Sequence, residues 1–238
     1  MSGLVLTLSS ETPVRLPLAR CGVLQGAFYR LLAADEALAA AVHDKPHGRE
    51  KQYKFFSFSD LHGHSHTEGK TLVLSGDVSW TLRFADERLA AAVRCTLATD
   101  PTVTLGEHRL TVTDVRAEDT AVTADAASWT ADTPVLYYRT DESGFSTYFS
   151  PTDPAFCAGL ERGAARKYAA FFGTEPPAVR ITLAGEPRKC VTRYKHSTIT
   201  GYYAAFSVAA APSVLTFLYE TGLGAKNSMG FGFVKNNG

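Results

Sequence analysis

The spacing of apolar residues along this chain switches from a period of two to a period near 3.6 and back in a fixed order, and that order limits the possible folds more than any other feature. Leu4 to Leu8 alternates apolar and polar residues as a half-buried strand does. Leu24, Phe28, Leu31 and Leu32 then recur at i, i+4, i+7 and i+8, which makes one stripe of a helix. Asp35 is placed to cap a short second helix carrying Leu38, Ala41 and Val42, and Pro46 and Gly48 end it just past His43. Tyr53 to Ser59 and Thr71 to Phe84 read as strands, with a turn near Gly76 and Asp77. An Ala-rich helix over Asp86 to Ala98 and alternating strands over Val103 to Val115 complete the series.

The order is β-α-β-β-α-β, a ferredoxin-like arrangement. A weaker copy follows: Val135 to Tyr138 as strand, Pro154 to Phe172 as helix and Val179 to Leu183 as strand. Val191 to His196 and Thr200 to Val208 form a hairpin, Val214 to Glu220 a helix and Phe231 to Lys235 the last strand. The acidic, Thr/Ala-rich stretch Arg116 to Thr133 is the expected connection. The fold class expected is α+β, two tandem ferredoxin-like (βαββαβ, RRM-like) domains over residues 1–118 and 119–238. The duplication is visible in element order and not in matched residues.

A chain of 238 residues that is 45% hydrophobic buries real cores. No run approaches the ~18–20 apolar residues of a spanning helix, and no basic start precedes an apolar stretch, so a soluble, cytoplasmic protein without membrane partners is expected. Cys21, Cys95, Cys157 and Cys190 form no C-x-x-C pair, which leaves no zinc ribbon or redox motif. The 24 Lys+Arg balance 24 Asp+Glu, so binding of nucleic acid by bulk charge is disfavoured. Local clusters remain. Lys45, Arg49, Lys51 and Lys54 face only Asp44 and Glu50 between Val42 and Lys54, and Arg188, Lys189, Arg193, Lys195, Lys226 and Lys235 face only Glu186 and Glu220 after Gly185. Acidic residues concentrate from Asp100 to Asp153, a stretch expected to turn away from an anionic partner. Charge runs alone are more often plain solvated surface.

The segment from Gly222 to Val234, GLGAKNSMGFGFV, is the most informative in the chain. A dinucleotide fingerprint fails because the third glycine is missing and a helix, not a strand, precedes it. A phosphate-binding Gly-Lys-Ser/Thr is absent too. What remains is a loop between helix and strand, whose glycines let main-chain N–H groups approach an anion, with Lys226, Asn227 and Ser228 beside Gly222, Gly224, Gly230 and Gly232. The competing reading is a tight turn whose glycines permit close packing.

GLGxKxSxGFGxV after a hydrophobic helix resembles the glycine-rich loop of the CRISPR-associated endoribonucleases that process repeat RNA and have a tandem ferredoxin-like fold. A second block agrees: Phe28-Tyr29, then Val42-His43-Asp44, then Lys54-Phe-Phe-Ser-Phe-Ser. Between Gly63 and Gly185 only the expected topology matches. The resemblance implies that the N-terminal half carries catalytic His43, Tyr29 and Lys54 and the C-terminal half the RNA-binding loop. It also implies CRISPR repeat RNA as substrate, mature guide RNA as retained product, and other subunits of a CRISPR complex as possible partners.

RNA carries its own nucleophile in the 2′-hydroxyl, so in-line cleavage needs a base, an acid and a cation, and no metal or cofactor is expected. An imidazole such as His43 exchanges protons near neutrality. Lys54 supplies positive charge and the Tyr29 phenol a hydrogen bond. Arg49 and Lys51, just behind His43, are alternatives for the cation and candidates for RNA contact, as are Arg193 and Lys195 on the expected hairpin. A stem-loop is the expected substrate, since duplex RNA is read by shape. Two rivals differ in class. One is a non-catalytic RNA-binding scaffold subunit. The other is a metal-dependent enzyme using His62, His64 and His66, which would share a strand face, although Gly63, Ser65 and Gly69 suggest a mobile loop instead.

Overall fold

The computed structural model describes residues 3–32, 53–194 and 197–237. The short helix expected behind Asp35, with His43, lies outside them, as do Arg49, Lys51 and Lys195.

The first sheet is built from β1 (Gly3–Ser9), β2 (Val14–Pro17), β3 (Phe56–Glu68), β4 (Thr71–Phe84), β5 (Thr102–Leu105) and β6 (His108–Glu118). Its core order β6-β1-β4-β3 is antiparallel throughout and is that of a ferredoxin-like unit. Helices α1 (Cys21–Leu31) and α2 (Glu87–Thr99) supply the crossovers. Leu24, Ala27, Phe28 and Leu31 are the buried stripe of α1, and Phe28 stacks on Phe56 of β3 with ring centroids 4.1 Å apart. Asp86 caps α2 by accepting from the Arg88 N–H.

The second sheet has the order β10-β11-β7-β12, from β7 (Ala126–Ala131), β10 (Arg180–Tyr194), β11 (Ser197–Ala209) and β12 (Val234–Asn236). Between its strands run a small hairpin, β8 (Tyr138–Thr140) with β9 (Ser146–Tyr148), and the helices α3 (Pro154–Phe172) and α4 (Pro212–Thr221). The chain is thus two tandem ferredoxin-like units. Each has its own core, one around Trp80 and the Phe28 stack, the other around Trp129, Phe156 and Phe206.

Several expectations are corrected. Gly76 is no turn: β4 runs through it at φ 71, and the reversal falls at Gly69, where φ is 60. The His62 to His66 stretch is strand, not mobile loop, because β3 follows β4 as far as Glu68↔Thr71. The expected connection Arg116 to Thr133 holds β7, a central strand that pairs both β11 and β12. Its Ala, Ser and Thr residues hid it, and only Trp129 and Ala131 point inward. Val135 makes a lone bridge to Tyr202 instead of opening a strand. The two runs expected to start at Val179 and Val191 belong to one long strand, β10, which spans Arg180–Tyr194 and is broken by a bulge between Ala184 and Arg188 where Gly185 has φ 85.

Candidate functional site

Phe28 and Tyr29 are neighbours on α1, and the helical rotation between them separates core from rim. With the Phe28 ring buried, the Tyr29 ring lies half-buried at the edge. The segment entering β3 works the same way: Phe56 packs on Phe28, Phe55 packs on Phe171 of α3 at 4.8 Å, and Lys54, next in line, is half-buried. Its Nζ donates to the Tyr29 hydroxyl at 2.7 Å. Burial, with Tyr194 nearby, pushes the Tyr29 phenol up to about 12, so it keeps its proton. Burial also lowers the Lys54 amine below its ordinary range.

Gly222 to Phe233 forms the loop between α4 and β12. Gly222, Gly224, Gly230 and Gly232 all have positive φ, and so does Lys226 at φ 61. A Cβ on Gly232 would lie 1.9 Å from the Leu223 carbonyl oxygen, and one on Gly224 would lie 2.5 Å from that of Leu136. Asn227 is buried and clips the loop shut: its Nδ2 donates to the carbonyls of Leu223 at 2.9 Å and Phe231 at 3.0 Å. The Gly230 to Val234 run is therefore mostly folded loop, and β12 begins only at Val234. Gln25, one turn before Tyr29 on α1, ties the two blocks together. It donates to the Ser228 carbonyl at 2.7 Å and accepts from the Tyr194 hydroxyl.

A cleft of about 630 Å³ joins them. Lys54, Arg139, Arg162, Arg166 and Lys226 line it, and no Asp or Glu does among the described residues. Arg162 and Arg166 stand one turn apart on the exposed side of α3. Tyr137 lies flat on the same helix because residue 159 is glycine; a Cβ there would meet its ring at 2.3 Å. The Tyr137 hydroxyl accepts from Arg139 Nε at 2.8 Å. Arg139 sits in the acidic stretch expected to turn away from an anion, and its position in the cleft corrects that expectation.

Of the loop residues singled out from sequence, Gly224, Lys226, Asn227 and Ser228 line the cleft, while Gly222 and Gly232 are buried in the loop's own packing and Gly230 against the Phe58 ring of β3. Arg193 is exposed on β10 and is not part of the cleft wall. Sequence reasoning missed Arg139, Arg162, Arg166 and the cleft tyrosines Tyr53, Tyr137 and Tyr138; the i, i+4 spacing of the two α3 arginines was the available signal. His62 and His66 have separate carboxylate partners, Asp132 at 3.0 Å and Glu68 at 2.9 Å. No group of three metal-ligating side chains occurs among the described residues. No helix among them is long and apolar enough to cross a membrane.

Fold and cleft together define a tandem ferredoxin-like protein with a cation-lined cleft against a glycine-rich loop. The chain belongs to the Cas6 family: the model described as CRISPR associated protein Cas6, C-terminal, matches residues 118–236. A Cas6-related protein from Pyrococcus furiosus is similar in structure at TM-score 0.85 and 19% identity, over 99% of this chain and 98% of that one. A structure described as an RAMP protein binding different RNA substrates gives TM-score 0.85 at 20% identity over 100% of both chains. A Thermus thermophilus Cas6 product complex gives 0.70 at 18% identity over 99% of both. At these identities the likeness carries the fold. No curated protein matches the chain.

Proposed function

We propose that this protein is a metal-independent endoribonuclease that cuts CRISPR repeat RNA into mature guide RNA. The 2′-hydroxyl attacks the adjacent phosphorus, the P–O5′ bond breaks, and the ends left are a 2′,3′-cyclic phosphate and a 5′-hydroxyl. The observation that carries this reading is the 2.7 Å contact between Lys54 and Tyr29, whose lysine lines a cleft with four other cations and, among the described residues, no carboxylate. Lys54 stabilises charge on the phosphorane, the Tyr29 hydroxyl donates to a phosphate oxygen or the sugar, and His43 moves the proton. RNA backbone runs past Arg139, Arg162, Arg166 and Lys226, with Tyr137 and Tyr138 offering faces to unpaired bases. Arg49 and Lys51 add cationic contacts to the RNA. A stem-loop is the substrate feature recognised, the guide RNA is retained, and other subunits of a CRISPR complex dock on the retained product.

The test is cleavage of labelled repeat RNA in excess chelator, beside the same RNA with a 2′-deoxy nucleotide at the cut. Cutting of the first alone is expected. If both are bound and neither is cut, the protein is a non-catalytic RNA-binding subunit; if chelator abolishes cutting, metal chemistry replaces the mechanism above.

A further inference from the structure

Lys167 of α3 is only 3% exposed. Its Nζ donates to three oxygens: the Thr221 carbonyl at 3.1 Å, the Gly222 carbonyl at 2.5 Å and Asn227 Oδ1 at 3.2 Å. The first two end α4 and open the glycine loop, and the third belongs to the side chain that clips the loop shut. An ammonium has three N–H groups for these three acceptors. A neutral amine has two and would turn its lone pair toward the third oxygen.

We propose that Lys167 is the positioning residue of the glycine loop, locking it in the RNA-holding shape through three donated hydrogen bonds that only the protonated amine supplies. This inference rests on the reading of the cleft as an RNA site. Lys167 touches no RNA in it. It sets the path of the Gly222 to Lys226 main chain through Asn227 and the end of α4, and it adds charge behind a wall that faces phosphate.

The surroundings place the switch in a useful range. The charged side chains of the cleft beside it are Lys54, Arg139, Arg162, Arg166 and Lys226, all cations. The phenols of Tyr53, Tyr137 and Tyr138 complete the wall. Burial pulls the Lys167 amine down to about 7. RNA brought into the cleft adds negative charge and favours the protonated form, so binding and protonation are linked in both directions.

The experiment measures the affinity of wild type and Lys167→Met for repeat RNA blocked by 2′-deoxy substitution, from about pH 6 to 8.5 at constant salt. Wild-type affinity is expected to fall about tenfold or more across that range, the consequence of one linked proton. The variant is expected to be weaker at the acid end and flat relative to wild type. Parallel profiles would overturn the proposal while leaving the RNA-site reading intact. No binding by wild type at any pH would remove that reading and this inference with it. As a measurement that needs no variant, the Lys167 amine is titrated by NMR in lysine-labelled wild type with and without the RNA. A midpoint raised by RNA supports the lock, and an unchanged midpoint overturns it.

Discussion

Arg83 of β4 donates through Nη1 to the carbonyl of Val234 in β12 at 2.7 Å, joining the middle of the first sheet to the last strand of the second across 151 residues of chain. The guanidinium is 2% exposed and lies between the rings of Tyr219, 3.6 Å away, and Phe233, 4.0 Å away. Glu118 accepts from it twice at 2.7 Å, and the Tyr219 hydroxyl accepts once more. A buried charge so fully partnered fixes one docking of the two units, since any slip would strand it. Arg83→Met is therefore expected to cost about 3–5 kcal/mol, read as a lower midpoint in denaturant unfolding. An unchanged midpoint would show that the units are held by apolar packing alone.

Lys54→Met and Tyr29→Phe test the proposed chemistry. The first is expected to slow single-turnover cleavage about 10²–10⁴-fold and the second by less, with RNA affinity changed far less than rate. Equal loss of affinity and rate would mean that the pair binds RNA without taking part in the transition state.

The paired substitution Arg162→Ala with Arg166→Ala removes two phosphate contacts under this reading. The slope of log affinity against log salt is expected to become shallower by about 1.5, measured by titrating RNA at several salt concentrations. Wild-type slope in the double variant would place the RNA elsewhere.

Gly232→Ala sets a Cβ 1.9 Å from the Leu223 carbonyl oxygen at a φ of 74. Backbone strain of about 1–3 kcal/mol plus the clash is expected to loosen the loop, seen as faster amide exchange from Leu223 to Phe233 and weaker RNA binding. Unchanged exchange would show that the loop adjusts without cost.

Asp132 supplies an acid limit to stability. Burial alone would raise its carboxyl, but hydrogen bonds with His62 and with Lys235 at 2.6 Å outweigh it and hold the group below its ordinary range. A folded value below the unfolded ~3.9 means that the stabilisation is complete above that pH and is lost as pH falls through the folded value. Asp132→Asn is expected to flatten the decline of stability in that acid window, followed by denaturant melts at a series of pH values. A decline as steep as wild type would assign acid sensitivity to other carboxylates.

How much of this was legible beforehand depended on whether the signal was local. Residues close in sequence reported their own elements: the Leu24, Phe28 and Leu31 stripe gave α1, and Pro154 to Phe172 gave α3 to the residue, because Asp153 caps one end and Gly173 turns left-handed at the other. Strand β7 was hidden because a strand is stabilised by its neighbours, and short polar residues between β11 and β12 need no apolar alternation of their own. Strand β3 and the hairpin of β10 with β11 run longer than their sequence patterns predict for a similar reason. Bulges and inner glycines look like turns in a sequence and are absorbed by a partner strand in a sheet.

Local sequence signals carry the βαββαβ order of the first half, the helices behind the Asp86 and Asp153 caps, and a glycine-rich loop that local backbone rules make unusual. Only the tertiary packing brings Lys54 to Tyr29 across 25 residues, sets Arg139 from a stretch expected to face away beside Arg162 and Arg166 in one cleft, and braces the loop with buried Lys167 and Asn227. Periodicity and capping are properties of neighbours along the chain. A hydrogen bond or a charge field exists only between groups that packing has brought within a few ångströms, and that distance is written nowhere in the order of residues.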